Sequence, residues 1–173
     1  MLLSAFTIFH VALSLVGIAA GFPVVYGLLS SKRLEGWTKL FLTTTVATSL
    51  TGFLFPIHGF TPGHAVGILS LILLTFSYLG RYRYALAGGW RRTYAVTAVA
   101  ALYLNVFVLV VQSFQKIPAL KALAPTQSEP PFQVTQLIVL VLFATLAILS
   151  AVKSHTEPQQ RMQWIGRSTS HLR

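Results

Sequence analysis

The sequence predicts an all-α integral membrane bundle of five transmembrane helices, with the N-terminus outside and the C-terminus cytoplasmic. Three observations carry that expectation. Of 173 residues, 54% are hydrophobic and only 9% charged; a soluble domain carries about a quarter charged residues, and so few do not cover a water-facing surface. Five apolar runs approach the roughly 20 residues needed to cross a bilayer. The gaps between those runs alternate between basic and non-basic.

The first span covers residues 3–29, and Pro23 is expected to kink it by removing a backbone donor. The run has no basic n-region and exceeds the length of a signal-peptide h-region, so it reads as a retained helix. Further spans follow at 38–56, 62–79, 94–114 and 132–152, giving a transmembrane domain over 1–153 and a cytoplasmic basic tail over 154–173. The proline-rich segment "KIPALKALAPTQSEPP" reads as an external loop with a short helical piece from Pro118 to Leu123.

Lys32, Arg33 and Lys39 follow the first span, Arg81, Arg83, Arg91 and Arg92 separate the third from the fourth, and Lys153, Arg161, Arg167 and Arg173 lie in the tail. The gap "FPIHGFTPGH" contains no Lys or Arg, and the proline-rich gap only Lys116 and Lys121. The net charge of +10 is therefore read as positive-inside loops and not as a nucleic-acid face. Trp37 and Trp90 fall at the basic helix ends, where interfacial indoles are common.

Within the spans, small and polar residues recur at helical spacing. The stripes are Thr7, His10, Ser14, Gly17 and Gly21; Thr44, Thr48, Thr51 and Phe55; His64, Gly67, Ser70, Leu74 and Ser77; Tyr94, Ala98, Ala101, Asn105 and Gln112; and Gln133, Gln136, Leu140, Ala144 and Ala147. Such stripes let helices approach closely in lipid, and bundle packing is their ordinary meaning. The imidazoles and amides gather toward the non-basic end. An ionisable residue inside a span is a site hypothesis by default, which singles out His10.

Three neutral imidazoles, His10, His58 and His64, form a candidate metal set. Two of them, His10 and His64, form a candidate axial pair for haem b. Gln112, Gln133 and Gln136 are then ligand-orienting groups. The expected cofactor is haem or a single metal ion, and the protein a redox or accessory subunit. The plainer reading has two turn histidines and one packed against a neighbouring threonine or carbonyl. The other readings are a lipid or quinone site, a structural or assembly subunit, and a small transporter running along the Thr-rich second helix past Asn105. Every ligand-site version needs the first and third helices adjacent. The expected partners are the bilayer and other membrane subunits, with no nucleic acid.

The absences exclude more. The chain has no Cys, which rules out thiolate metal sites and disulfides. Its three acidic residues are Glu35, Glu129 and Glu157, too few inside spans for a carboxylate proton relay or a di-iron centre. No nucleophile elbow, phosphate loop or H-E-x-x-H is present. Enzymatic activity is not expected.

The stretch "FTPGHAVGILSLILLTFSYLGRYRYALAGGWRRTYAVTAVAALYLNVFVLV" resembles the middle of DUF2306-type small bacterial membrane proteins, in its outer Pro–His turn, apolar span, basic turn and second apolar span. It departs from them at Arg91 and Arg92, beside which that family has a His. The resemblance implies a multi-pass protein of the bacterial inner membrane and supplies no activity.

Overall fold

A computed structural model describes the backbone of residues 2–55 and 61–170, and side chains over 4–55 and 61–154. Its helices are α1 (Leu2–Leu29), α2 (Glu35–Gly52), α3 (Pro62–Tyr78), α4 (Trp90–Lys116), α5 (Pro118–Leu123) and α6 (Pro130–Ser170); a π-helical turn, Leu79–Arg83, continues α3. No strand occurs among the described residues. The short helix α5 has the bounds expected from sequence. Helix α1 stays helical through Pro23. Helix α6 runs well past residue 152, so the tail begins as a continuation of the last helix.

Local chemistry sets the ends. Pro occupies the first turn of α3 and of α5, where its missing N–H costs nothing. Helix α1 closes with Ser31 at φ 55° and the Lys32 N–H donating to the Gly27 carbonyl at 2.9 Å, a Schellman cap. A Cβ on Gly27 would stand 2.8 Å from the Lys32 carbonyl oxygen, so the cap requires glycine there. After the π turn, Ala85 and Leu86 both take positive φ, 48° and 60°. The left-handed region costs a non-glycine residue roughly 1–2 kcal/mol, and such strain concentrates where function holds it in place.

Among the described residues, four helices are long and apolar enough to cross a membrane: α1, α3 with its π turn, α4, and α6. Sequence analysis expected five, and α2 is the one corrected. Its 18 residues include Glu35, Lys39 and a run of Thr and Ser that dilutes its apolar content. It still runs the height of the bundle. Thr38 borders the same cavity as Tyr94 at one end, and Thr51 bonds His10 at the other. Burying Thr38, Thr44, Thr45, Thr48 and Ser49 keeps most of that polarity away from lipid, and Thr44 and Thr51 satisfy their hydroxyls on their own carbonyls four residues back.

The core gathers Ile18, Ala20, Val24, Phe41, Leu42, Leu74, Tyr94, Ala98, Ala101, Leu102 and Phe143. Small residues set the helix separations, as expected in lipid. A Cβ at Gly17 would meet the Thr44 and Thr45 hydroxyls at 3.2 and 3.3 Å, and α1 lies on α2 there. Polar bonds stitch the remaining contacts. Ser77 bonds Thr97 at 2.7 Å between α3 and α4, Gln136 donates to the Phe107 carbonyl at 3.2 Å between α6 and α4, and Asn105 donates to Thr45 at 3.2 Å between α4 and α2. Intramembrane hydrogen bonds average about 0.6 kcal/mol and reach about 1.7. Asn105→Ala should therefore cost about 1 kcal/mol of unfolding free energy, measured by denaturant titration in detergent, with a smaller loss for Ser77→Ala.

Candidate functional site

The expected site lies at the end where α1 begins and α2 finishes. His10 Nδ1 sits 2.8 Å from the Thr51 hydroxyl, and Thr51 donates its proton to the Ala47 carbonyl at 2.7 Å. Nδ1 of His10 is therefore the donor and Nε2 carries the lone pair. The ring stands edge-on to Phe55 at 5.1 Å, and Phe55 packs on Phe6 at 5.0 Å.

His64 has the opposite tautomer. Its Nδ1 accepts the Thr61 N–H at 3.1 Å, taking the place of the Glu in a capping box at the start of α3. The proton then sits on Nε2. A metal-binding imidazole offers a lone pair to the metal and donates through its other nitrogen, so His64 as capped does not fit a haem or metal axial role. Its ring packs 5.6 Å from Phe53.

His10 and His64 thus contact the same end of α2 from two sides, and α2 packs between α1 and α3. The adjacency of first and third helices that a shared ligand required is replaced by a helix between them. His58 lies outside the described residues. No group of three His, Cys, Asp or Glu able to hold a metal occurs among the described residues. The expected amides do other work. Gln136 clasps α6 to α4, Gln133 donates to the Ser128 carbonyl of its own loop at 2.7 Å, and Gln112 is exposed. In that loop, desolvation alone would raise the Glu129 carboxyl, but bonds from the Thr126 hydroxyl and the Thr126 and Ser128 N–H groups together hold it below the usual carboxylate range.

The described structure opens a cavity at the opposite, basic end. Its volume is about 40 Å³, and it is lined from α1 by Val24, Gly27 and Leu28, from the α1–α2 cap by Ser31, Lys32, Arg33 and Leu34, and from α2 by Thr38. The π turn and the strained segment after it give Arg81 and Leu86, α4 gives Arg91 and Tyr94, and α6 gives Lys153 and Ser154. Five basic side chains converge on one small space.

Arg81 is the centre of it. Its side chain is 7% exposed and pairs with Glu35 at 2.6 Å through Nη2. Its guanidinium lies 5.3 Å over the Tyr94 ring. Its buried Nε has no hydrogen-bond partner among the described residues, and the Tyr94 hydroxyl lies beside the Thr38 side chain. Arg33 and Arg91 repel one another nearby. Lys153 reaches across to cap the Leu29 carbonyl at 2.5 Å. Glu35, 66% exposed, is the single carboxylate of this end among the described residues. A buried donor left unmade costs about 1–3 kcal/mol, more when charged. One such donor, on a residue that lines a small space bordered by five basic side chains, suits an oxyanion, which accepts hydrogen bonds and neutralises charge together.

The wide π turn is what aims Arg81 inward. A Cβ on Gly80 would stand 3.1 Å from the Trp90 carbonyl and 3.3 Å from Tyr94 Cβ, so the turn rides directly on α4. Single π turns are rare and frequent at functional sites. From sequence, "GRYRYALAGGWRR" reads as a cytoplasmic connection, with contact between its arginines and anionic lipid headgroups as the alternative, and nothing in it singles out Arg81, Tyr94 and Thr38 as one site. One signal was present: a lone acid, Glu35, among basic residues that positive-inside alternation had already gathered at one end.

No family model, curated protein or solved structure matches this chain.

Proposed function

We propose that this protein is a small multi-pass protein of the bacterial inner membrane, with its N-terminus outside and its basic end cytoplasmic, that binds an oxyanion of the phosphate class in the Arg81 cavity. One observation carries the reading: a guanidinium side chain more than nine-tenths buried whose Nε has no hydrogen-bond partner among the described residues, on the wall of a cavity lined by five basic side chains. The orientation rests on the alternation of basic and non-basic gaps. The inner-membrane assignment rests on the DUF2306-type resemblance and the four apolar helices.

Ser31 adds a neutral hydroxyl to the lining. Arg81 supplies a planar fork matched to phosphate geometry. Lys32 and Arg33, exposed at the rim, draw the anion in. No nucleophile or general base is required, and the reading is of binding, not turnover.

The test is thermal unfolding of the full chain in detergent, with inorganic phosphate exchanged for chloride at constant ionic strength. A ligand present at ten times its dissociation constant stabilises by about 1.4 kcal/mol, so the midpoint should rise and saturate with phosphate. Equal midpoints in phosphate and chloride would remove the reading. Glu35→Gln takes away the carboxylate that competes for Arg81. It should tighten phosphate binding about three- to tenfold and lower ligand-free stability, because the buried Arg81 guanidinium loses its carboxylate partner. Reporter fusions at the 84–89 turn test the orientation; an external signal there would reverse it.

A further inference from the structure

The oxyanion has two natural sources, a soluble phosphate and the headgroup of an anionic lipid, and three features decide between them. The first is depth. Tyr26, Trp37, Tyr78, Tyr82 and Tyr84 are 56%, 48%, 60%, 45% and 42% exposed. All sit at the basic ends of the helices, where Tyr and Trp mark the headgroup level of a bilayer. The cavity is bordered by residues of the same turns, so lipid phosphates surround it.

The second feature is the lining. Val24, Leu28, Leu34 and Leu86 share the lining of the cavity with the cations. A freely hydrated anion gains nothing from such a wall. A phosphate with a glycerol ester beside it gains from both.

The third is size. A water needs about 10–15 Å³ of such space, so about 40 Å³ is room for roughly three water-sized groups. That admits the two non-ester oxygens of a phosphate diester and excludes a nucleotide or sugar phosphate bound whole. A lipid fits, because everything beyond its phosphate stays in the bilayer. Lys32 is already drawn toward the membrane side, its Nζ 5.8 Å over the exposed ring of Tyr26.

We infer that the occupant of the Arg81 cavity is the phosphate of an anionic phospholipid from the leaflet at the basic end, an inference that rests on the oxyanion reading above. The lipid ties together α1, α2, the π turn, α4 and α6 at the point where five basic side chains meet and Arg33 repels Arg91. The protein is then stabilised by, and responsive to, the anionic lipid content of its own leaflet.

The test places the full chain in nanodiscs of phosphatidylcholine, with or without phosphatidylglycerol, and follows the thermal midpoint with and without inorganic phosphate; native mass spectrometry counts retained lipid. Phosphatidylglycerol should raise the midpoint, added phosphate should then give no further rise, and at least tenfold more phosphatidylglycerol than phosphatidylcholine should be retained. Arg81→Gln should abolish the lipid difference, while Arg83→Gln, an equal loss of charge at an exposed residue of the same turn, should keep it. If Arg81→Gln does not fold, the paired change Lys32→Gln and Arg33→Gln should weaken the same difference. A midpoint that follows inorganic phosphate equally in both kinds of disc, with no lipid preference, overturns the lipid source and leaves the oxyanion site standing. Indifference to both ligands overturns the two together. A lipid preference equal in wild type and Arg81→Gln shows general surface attraction and also overturns the inference.

Discussion

Gly21→Val should destabilise the bundle more than any other single substitution described here, by about 3 kcal/mol, the upper part of the range for overpacking a core. A Cβ at Gly21 would overlap Leu102 Cδ1 and stand 2.9 Å from its Cδ2. Leu102 has no room to yield, being 0% exposed beside Ala98 and Ala101, which are 1% and 0% exposed. Helices α1 and α4 would have to separate where the bundle is thinnest in side chains, and every neighbouring contact would lengthen with them. Equilibrium unfolding in mixed micelles measures the loss. Two controls give it meaning. Gly36→Ala, where an added Cβ meets nothing within 4 Å, should be neutral or stabilising by up to about 1 kcal/mol. Leu102→Ala should recover part of the loss in the double variant, a coupling that only direct contact produces.

The second large effect is on binding, and its size depends on the ligand. Arg81→Ala should reduce phosphate affinity at least tenfold, since it removes the cavity's only guanidinium held against an aromatic face among the described residues that line it. Its effect on ligand-free stability should be small. The cation–π contact over Tyr94 contributes about 1–2 kcal/mol, but the variant also removes a buried unmade donor. The unfolding curves of wild type and variant should therefore nearly coincide in chloride and part as phosphate is added. A large loss already present in chloride, unchanged by phosphate, would mean that Arg81 serves packing and its pair with Glu35, not an anion.

Much of the fold was legible because lipid leaves few alternatives. Spans α1, α3, α4 and α6 follow from length and apolar composition, and α5 from Pro118 followed by helix formers. The first four stripes mark real contacts: Gly17 on Thr44 and Thr45, Gly67 on Phe53, Ser77 on Thr97 and Asn105 on Thr45. The fifth stripe held in part, at Gln136, which bonds the Phe107 carbonyl, and Ala147, which packs on the core. Leu140 and Ala144 are exposed, and α6 buries Phe143 and Ser150 instead. Small residues predict a contact face only where helices touch closely; α6 meets α4 through larger side chains, with Phe143 against Tyr103 at 6.0 Å. Helix α2 misled for a related reason, because its threonines hide their hydroxyls on their own backbone and the helix crosses the bundle without being apolar.

The histidines were correctly noticed and wrongly combined. Sequence spacing does not reveal that the His64 ring caps its own helix, since that depends on Thr61 standing three residues before it in extended backbone, φ −113° and ψ 160°. The plainer reading of His10, packed on a threonine, is the one realised. The Arg81 cavity was illegible for a different reason. Its parts come from five chain segments, and Arg81 turns inward only because the helix widens into a π turn at Leu79–Arg83, a feature without a sequence signature. Composition located the basic end; the fold gathered five of its basic side chains around one cavity.

An experimental density map of the full chain in nanodiscs containing phosphatidylglycerol bears most directly on all of this. The account predicts tetrahedral density in the cavity, with oxygens about 2.7–3.2 Å from Arg81 Nε and the Tyr94 hydroxyl. A cavity holding only water, or an Arg81 Nε donated to a main-chain carbonyl, would contradict it.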